Sequence, residues 1–337
     1  MKNSPFRFLM PVIAVAAAAL CGMLVVALSG RDPVDISAKL YRATLGSGYG
    51  TGQVLFRTTS LIFTGLAVAL PFRARLFNIG GEGQLQLAAF AAAVTGALLP
   101  ASMPAFPAVV LTAFAAMTAG GLWGAAAGAL KVRFGVNEVI STIMLNFIAQ
   151  ALAGYLLTYR FAMPSTEHTA EIVPHAMLPG MDDLAGLFAG SPANLTLPLA
   201  PAAAALAAFY LFRSRAGYEL RALGSQPEAA AYAGIESSTH RILIMGVAGA
   251  LAGLGALNLV SGYRHYYEAG LTGGLGFSGI AVALLAGAHP LWIVPAALFF
   301  GLLEYGGLAV GAYVPKDIFM IIQALAILMV IVLNARR

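Results

Sequence analysis

About ten apolar stretches, each near or above the length that crosses a bilayer, divide this chain and leave it few folds. They run over 8–28, 54–71, 76–99, 105–130, 139–158, 197–212, 242–260, 277–289, 291–309 and 318–333. A helix needs ~20 apolar residues to span the hydrocarbon core. Hydrophobic residues make up 60% of the chain and charged ones 10%, whereas about a quarter of a soluble domain is charged. A β-barrel would alternate apolar and polar residues at every second position, and runs such as "AAFAAAVTGALL" do not. The reading is an all-α polytopic membrane protein of about ten transmembrane helices, a single transmembrane domain over 1–337.

Lys2 and Arg7 precede the first run in the manner of a secretion signal, but the run continues for about 21 residues. A signal h-region has roughly 7–15. Leu20 before Cys21 also spoils a lipoprotein cleavage site, so the segment is expected to stay as helix 1. Cys21 is the one cysteine and forms no internal disulfide.

Ten spans starting in the cytoplasm sort the basic residues. Twelve fall inside (Lys2, Arg7, Arg73, Arg75, Lys131, Arg133, Arg213, Arg215, Arg221, Arg241, Arg336 and Arg337) and six outside (Arg31, Lys39, Arg42, Arg160, Arg264 and Lys316). Arg57 is left at the outer end of helix 2. This asymmetry puts both termini in the cytoplasm. Segment 277–289 is short for a crossing and is expected either to span or to form a re-entrant or broken helix packed in protein. No basic cluster with interleaved aromatics suggests a nucleic-acid partner.

Two connections are long. The outer loop 159–196, rich in Pro, Gly and acids, is expected to be solvated or to dock an external partner; His168 and His175 lack metal-ligand spacing. The inner loop 213–241 centres on "RALGSQPEAAAYAGI". Ser225 and Glu228 form a capping-box pattern, and Pro227 falls in the first turn, where its missing N–H costs nothing. Ala229, Ala230 and Ala231 favour helix and Gly234 can close it. A two-turn helix between spans must be held by packing. Its small residues are expected either to meet a partner's groove or to cap an ordinary loop.

These residues carry a resemblance. "GSQPEAAAYAGI" resembles the cytoplasmic coupling helix of ABC importer permeases of the sugar, nucleoside and branched-chain amino acid type, and "LFNIGGEGQLQLAAF" (76–90) resembles the signature of the same family. "GVNEVISTIMLNFIAQ" (135–150) is similar to the nucleoside-uptake branch, in particular the longer of its two permeases. The resemblance implies an importer subunit in the bacterial cytoplasmic membrane. Its implied partners are a second permease, a cytoplasmic ATPase and an external substrate-binding lipoprotein or periplasmic protein. It assigns ATPase coupling to Arg221, Gly224, Ser225, Pro227, Glu228, Ala229, Ala230, Tyr232 and Gly234. The chain has no G-x-x-x-x-G-K-[ST] phosphate loop, and "NIGGEG" lacks the lysine. ATP hydrolysis is therefore expected on another subunit, with no cofactor here.

Arg73 and Arg75 place 76–87 at the cytoplasmic entry of helix 3. Glycines there permit close backbone approach. A lipid-facing Glu82 would cost roughly 2.5–3.5 kcal/mol, so it should face protein or a water-filled path. "LTGGLGFSG" (271–279) is its counterpart at the outer entry of helix 8, so that helices 2–5 and 7–10 form possible inverted halves; glycine-interrupted entries in two halves point to a transport pathway. Asn78, Gly81, Glu82, Gln84 and Gln86 are expected either to line that pathway or to form a buried polar hinge. Asn146 and Gln150, four apart on one helix face, are expected to bind a hydrophilic solute or to bridge helices. Glu138 behind the N-cap candidate Asn137 reads as structural. Asn258, Glu304 and Gln323 read as packing bonds, and Tyr263, His265, Tyr266 and Tyr267 as an interfacial belt. With Arg57 the one basic side chain within the spans, a neutral solute is favoured.

Two other classes fit the sequence less well. A secondary transporter or channel would carry coupling acids in its spans, for which only Glu82 and Glu304 are candidates, and would leave the inner helix without a purpose. An intramembrane enzyme is disfavoured, since neither H-E-x-x-H nor G-x-S-x-G occurs.

Overall fold

The computed structural model describes residues 16, 19–315 and 317–335. Among them the chain is helical, with isolated bridges in place of strands. The helices are α1 (Ala19–Leu28) and, in order, α2 (Pro33–Ala43), α3 (Gly48–Phe72), α4 (Gly81–Leu98), α5 (Ala105–Phe134), α6 (Glu138–Leu156), α7 (Met181–Ala185) and α8 (Thr196–Arg213). They continue with α9 (Arg215–Ser225), α10 (Pro227–Tyr232), α11 (Ser237–Leu259), α12 (Leu275–Leu285), α13 (Pro290–Ala309) and α14 (Asp317–Ala335). Six of them, α3, α5, α6, α8, α11 and α13, are long and apolar enough to cross a membrane. The protein is a multi-pass membrane protein. The start of the first predicted span lies outside the described residues.

Local chemistry sets the ends. Asn137 caps α6 as expected, its side chain accepting the Val139 N–H, and Gly135 closes α5 in the left-handed conformation. The 18-residue apolar window of α3 is 89% buried, against 22% in α5 and 28% in α6. α3 is therefore the centre of the bundle, and α5 and α6 lie at its edge. Phe56 meets Tyr263 edge-on and Phe63 adjoins Gly255, so α3 and α11 run antiparallel.

Small residues bring helices together, since in lipid association depends on van der Waals contact rather than on water release. Ala116, Gly120, Gly124 and Gly128 recur every fourth residue on α5 and face α11. A Cβ on Gly120 would lie 2.3 Å from the Gly249 carbonyl oxygen, and one on Gly249 1.9 Å from that of Gly120. The packing pairs correspond when α3, α4, α5 and α6 are exchanged for α11, α12, α13 and α14: α5 on α11 answers α13 on α3, and α6 on α4 answers α14 on α12.

Three expectations need correction. The outer segment 159–196 is folded rather than a solvated loop. Thr169, Ile172, Ala176, Leu178 and Asn194 are buried, and Leu178 N–H donates to the Ser261 carbonyl at 2.8 Å. Asn194 and Thr196 bond Asn258, which in turn donates to the Phe56 carbonyl and Ser60, so Asn258 is a packing residue as read. α2 was not anticipated; its amphipathic turn is capped by Asp32. Tyr267 does not belong to a surface belt: it is 1% exposed.

Candidate translocation site and coupling segment

α3 ends at Phe72, and residues 76–79 return without helical structure before α4 begins at Gly81. Asn78 Nδ2 donates to the Ala67 carbonyl at 3.1 Å, which places it beside the body of α3 rather than beyond its end. α11 repeats the device. A π-helical turn (Val260–Arg264) ends it, an irregular return follows, and α12 begins at Leu275. With 11 residues, or ~16 Å at 1.5 Å per residue, α12 is too short to cross alone and is a broken helix packed in protein.

The two glycine-interrupted entries meet. A Cβ on Gly81 would lie 3.4 Å from the Gly276 carbonyl oxygen, and one on Gly276 only 2.2 Å from the Glu82 nitrogen. The first N–H groups of a helix lack partners within it and carry its positive end. Glu82 supplies what α12 needs: its carboxylate accepts from Gly276 N–H at 2.8 Å, Gly274 N–H at 3.2 Å and Thr272 Oγ1 at 2.5 Å. Gly274, the N-cap residue, has φ 83, a conformation glycine adopts without penalty. Glu82 therefore faces protein, as expected, and caps a helix from the other half of the chain.

The amides around it form a buried hinge. Asn78 and Gln84 exchange hydrogen bonds at 3.0 and 3.1 Å, and Asn78 Oδ1 also accepts the Gly80 N–H. Asn146 holds the break from α6, accepting from Gly83 N–H at 2.8 Å and donating to the Ile79 carbonyl at 2.9 Å. Gln86 donates to Tyr267 Oη at 3.1 Å. Asn78 is fully buried, with Gln84, Gln86 and Asn146 at 8% exposure or less. Of the two readings of this group, the geometry fits the polar hinge. Gln150 separates from Asn146: it is exposed on the outer side of α6.

A cavity of about 720 Å³ lies beside this hinge, between α3, the return after α11, α12, α13 and α14. Arg57, Ser278, Glu304 and Gln323 line it. By sequence, Arg57 stands at a membrane boundary, and Glu304 and Gln323 read as packing groups. Arg57 is the tenth residue of α3, and Glu304 of α13 faces the same cavity as Arg57 and Ser278. The signal available in sequence was two opposite charges in apolar runs; their convergence was not, because it depends on how α3 and α13 pack.

The inner segment folds as two helices. Ser214 caps α9 by accepting Gly217 N–H. Ser225 is the last residue of α9, and Gln226 rather than Ser225 is the N-cap residue of α10, so the expected capping box is absent. Pro227 does occupy the first turn, and Gly234 is left-handed at φ 78. Glu228, Ala229, Ala231 and Tyr232 are exposed, Tyr232 at 95%. Ala230, expected to meet a partner's groove, is 4% exposed and turned into its own chain.

α9 is seated on the ends of the membrane helices. A Cβ on Gly224 would lie 1.9 Å from the Arg73 carbonyl oxygen. Arg73 Nε in turn donates to the Ala288 carbonyl at 2.8 Å, in the turn between α12 and α13. Beside it, Phe212 stacks on His289 at 5.0 Å between ring centres, and the Arg221 guanidinium lies 5.4 Å from the Phe212 ring centre. Glu219 ties α9 to α11, accepting from Arg215 Nε at 2.8 Å, with His240 Nε2 2.9 Å from its other oxygen. The hydrogen bond from Arg215, aided by that from His240, holds the Glu219 carboxyl below the usual carboxylate value.

Known proteins resemble this chain over most of its length. The chain is similar to the glucose ABC transporter permease protein TsgB13 of Haloferax volcanii, 36% identical over 334 residues, covering 95% of this chain and 86% of that one. It is 35% identical over 329 residues to the guanosine ABC transporter permease protein NupP of Bacillus subtilis, covering 96% and 93%. The nucleoside ABC transporter permease protein NupB of Lactococcus lactis is 32% identical over 311 residues, covering 91% and 85%. The model for the branched-chain amino acid transport system / permease component family matches residues 50–333. The two broken helices joined through Glu82, and the inner helices seated on Arg73, are thus features of a chain that belongs to that family of transport permeases.

Proposed function

We propose that the chain is the membrane-crossing permease of an ATP-binding-cassette importer that takes up nucleosides. In this reading it crosses the bacterial cytoplasmic membrane ten times with both termini inside, and α3–α6 and α11–α14 are inverted halves. The matched exchange of packing partners supports the two halves. A second, different permease completes the pathway. The polar Gln150 on the exposed side of α6 supports a protein neighbour there, because an amide turned toward lipid is costly. An external binding protein delivers the solute.

The observation that carries the coupling reading is the continuous contact from α10 to the membrane. A cytoplasmic ATPase docks on the face formed by Glu228, Ala229, Ala231 and Tyr232. Motion of α10 reaches α9 directly, and Gly224 leaves α9 no slack against Arg73. Arg73 holds the turn that ends α12, and the other end of α12 is held by Glu82. α12 is then the element moved between the ATPase and the cavity wall at Ser278. An ion-coupled carrier has no use for such a seat.

The nucleoside rather than sugar assignment rests on the 135–150 segment and on the names of NupP and NupB; the relative named for glucose keeps sugar as the second reading. The test is uptake of labelled guanosine and labelled glucose by cells expressing the complete importer. ATP-dependent guanosine uptake supports the proposal; glucose uptake alone would replace its solute, and uptake of either without an ATPase would remove its mechanism.

A further inference from the structure

Resting on the importer reading above, we infer that the cavity between α3, α12, α13 and α14 is a solute-binding site within the membrane domain, built for a neutral planar heterocycle with both hydrogen-bond donors and acceptors.

Its polar equipment is unusual for an apolar bundle. Arg57 and Glu304 both line it, yet neither enters a direct ion pair among the described residues. Arg57 Nε is buried and without a hydrogen-bond partner in that set. A buried donor of a charged group is costly to leave unmade, and an intramembrane charge that faces a cavity marks a functional site by default. Arg57 offers a planar fork of donors and Glu304 two acceptor oxygens. Ser278 and Gln323 add groups that both donate and accept. With opposite charges on the walls, a net anion or cation gains at one and loses at the other, so a neutral solute with both kinds of group fits best.

The outer wall sets the shape. Phe56 and Tyr263 line the cavity and meet edge to face, ring centres 5.1 Å apart. Aromatic walls favour a flat π-system over a puckered polyol. Tyr263 also borders a second cavity of about 650 Å³, reached past Gln53 and the folded outer segment at Pro179 and Ser191. The Phe56–Tyr263 pair thus divides an outer vestibule from the inner site. A solute passing inward meets the aromatic pair first, then the Arg57 and Glu304 groups, and lies against α12, the helix that Glu82 and Arg73 hold at its two ends.

The test uses the complete importer in proteoliposomes. Ser278→Cys in a Cys21→Ala background is labelled with a small thiol reagent, with guanosine, glucose or a charged nucleotide present. Guanosine is expected to slow labelling at least about fivefold, with little effect of the other two. In parallel, Glu304→Gln and Arg57→Gln should each raise the guanosine KM about tenfold or more, the loss of one hydrogen bond to a charged group. A transporting Ser278→Cys importer that guanosine does not protect, with wild-type KM in both other variants, would overturn the site while leaving the importer reading intact. Protection by glucose but not guanosine would overturn the assigned chemistry. Absence of ATP-driven uptake of any of these solutes by the unmutated importer would overturn the importer reading, and the site with it.

Discussion

Gly224 lies against the Arg73 carbonyl so closely that a Cβ there would stand 1.9 Å from its oxygen. The obstacle is backbone, which cannot rotate away as a side chain can. Gly224→Ala must lift α9 from the end of α3, an overpacking cost of about 1–3 kcal/mol. The expected outcome is an inserted protein with a lowered melting temperature in detergent and ATP hydrolysis poorly linked to uptake. The ratio of solute imported to ATP hydrolysed, measured in proteoliposomes, checks it.

Glu82→Gln turns one acceptor oxygen into a donor that faces other donors. Three hydrogen bonds from the α12 entry converge on this carboxylate, so at least one is lost and a group of like polarity opposes it. A cost of about 1–3 kcal/mol follows. Uptake should fall along with thermal stability, because the residue caps a helix. Lower uptake at unchanged stability would assign Glu82 to the solute path instead.

The proposed orientation is open to labelling. Glu167 is exposed in the outer segment and Ser225 in the inner one, whereas Ser191 has its hydroxyl walled off and makes a poor reporter. With Cys21→Ala as background, an impermeant thiol reagent applied to intact cells should label Glu167→Cys and spare Ser225→Cys. The reverse pattern would invert the topology.

Acid should loosen the tie between α9 and α11. The folded-state pKa of Glu219 is lowered, chiefly by its hydrogen bond from Arg215. Such a group contributes stability in full above its ordinary value of 4.5, and that contribution is lost as pH falls through the lowered folded value. Amide exchange in α9, corrected for intrinsic rates, should stay flat from neutrality to about pH 5 and rise below it. In Glu219→Gln the rise should disappear.

Hydropathy made the helical membrane class legible, since runs as apolar as 242–260 have no soluble alternative. The two interruptions were legible too: glycines beside Glu82 and at 273–276 marked both broken entries. Their meeting was not, because no local pattern tells that Glu82 will cap a helix about 190 residues later. The same limit hid the cavity, whose Arg57 and Glu304 come from opposite halves of the chain. Ser225 was misread because Ser-Gln-Pro-Glu suits a capping box by spacing, while α9, packed down at Leu220 and Leu223, extends through it. Ala230 was misread because a run of alanines does not reveal which of them faces inward.

Docking of an ATPase on α10 is open to a test at Tyr232. Its side chain is 95% exposed, so Tyr232→Ala should change the stability of the isolated chain by no more than about 0.5 kcal/mol. Ala230→Asp is the poorer probe, since a charge there disrupts the chain's own packing. An aromatic anchor at a protein interface is often worth about 2 kcal/mol, roughly a thirtyfold change in affinity. The measurement is recovery of the ATPase with the tagged permease, alongside uptake of labelled guanosine. Tyr232→Ala should keep normal membrane levels and melting temperature, with at least tenfold less ATPase and no uptake. Full ATPase recovery with wild-type uptake would rule out docking on α10.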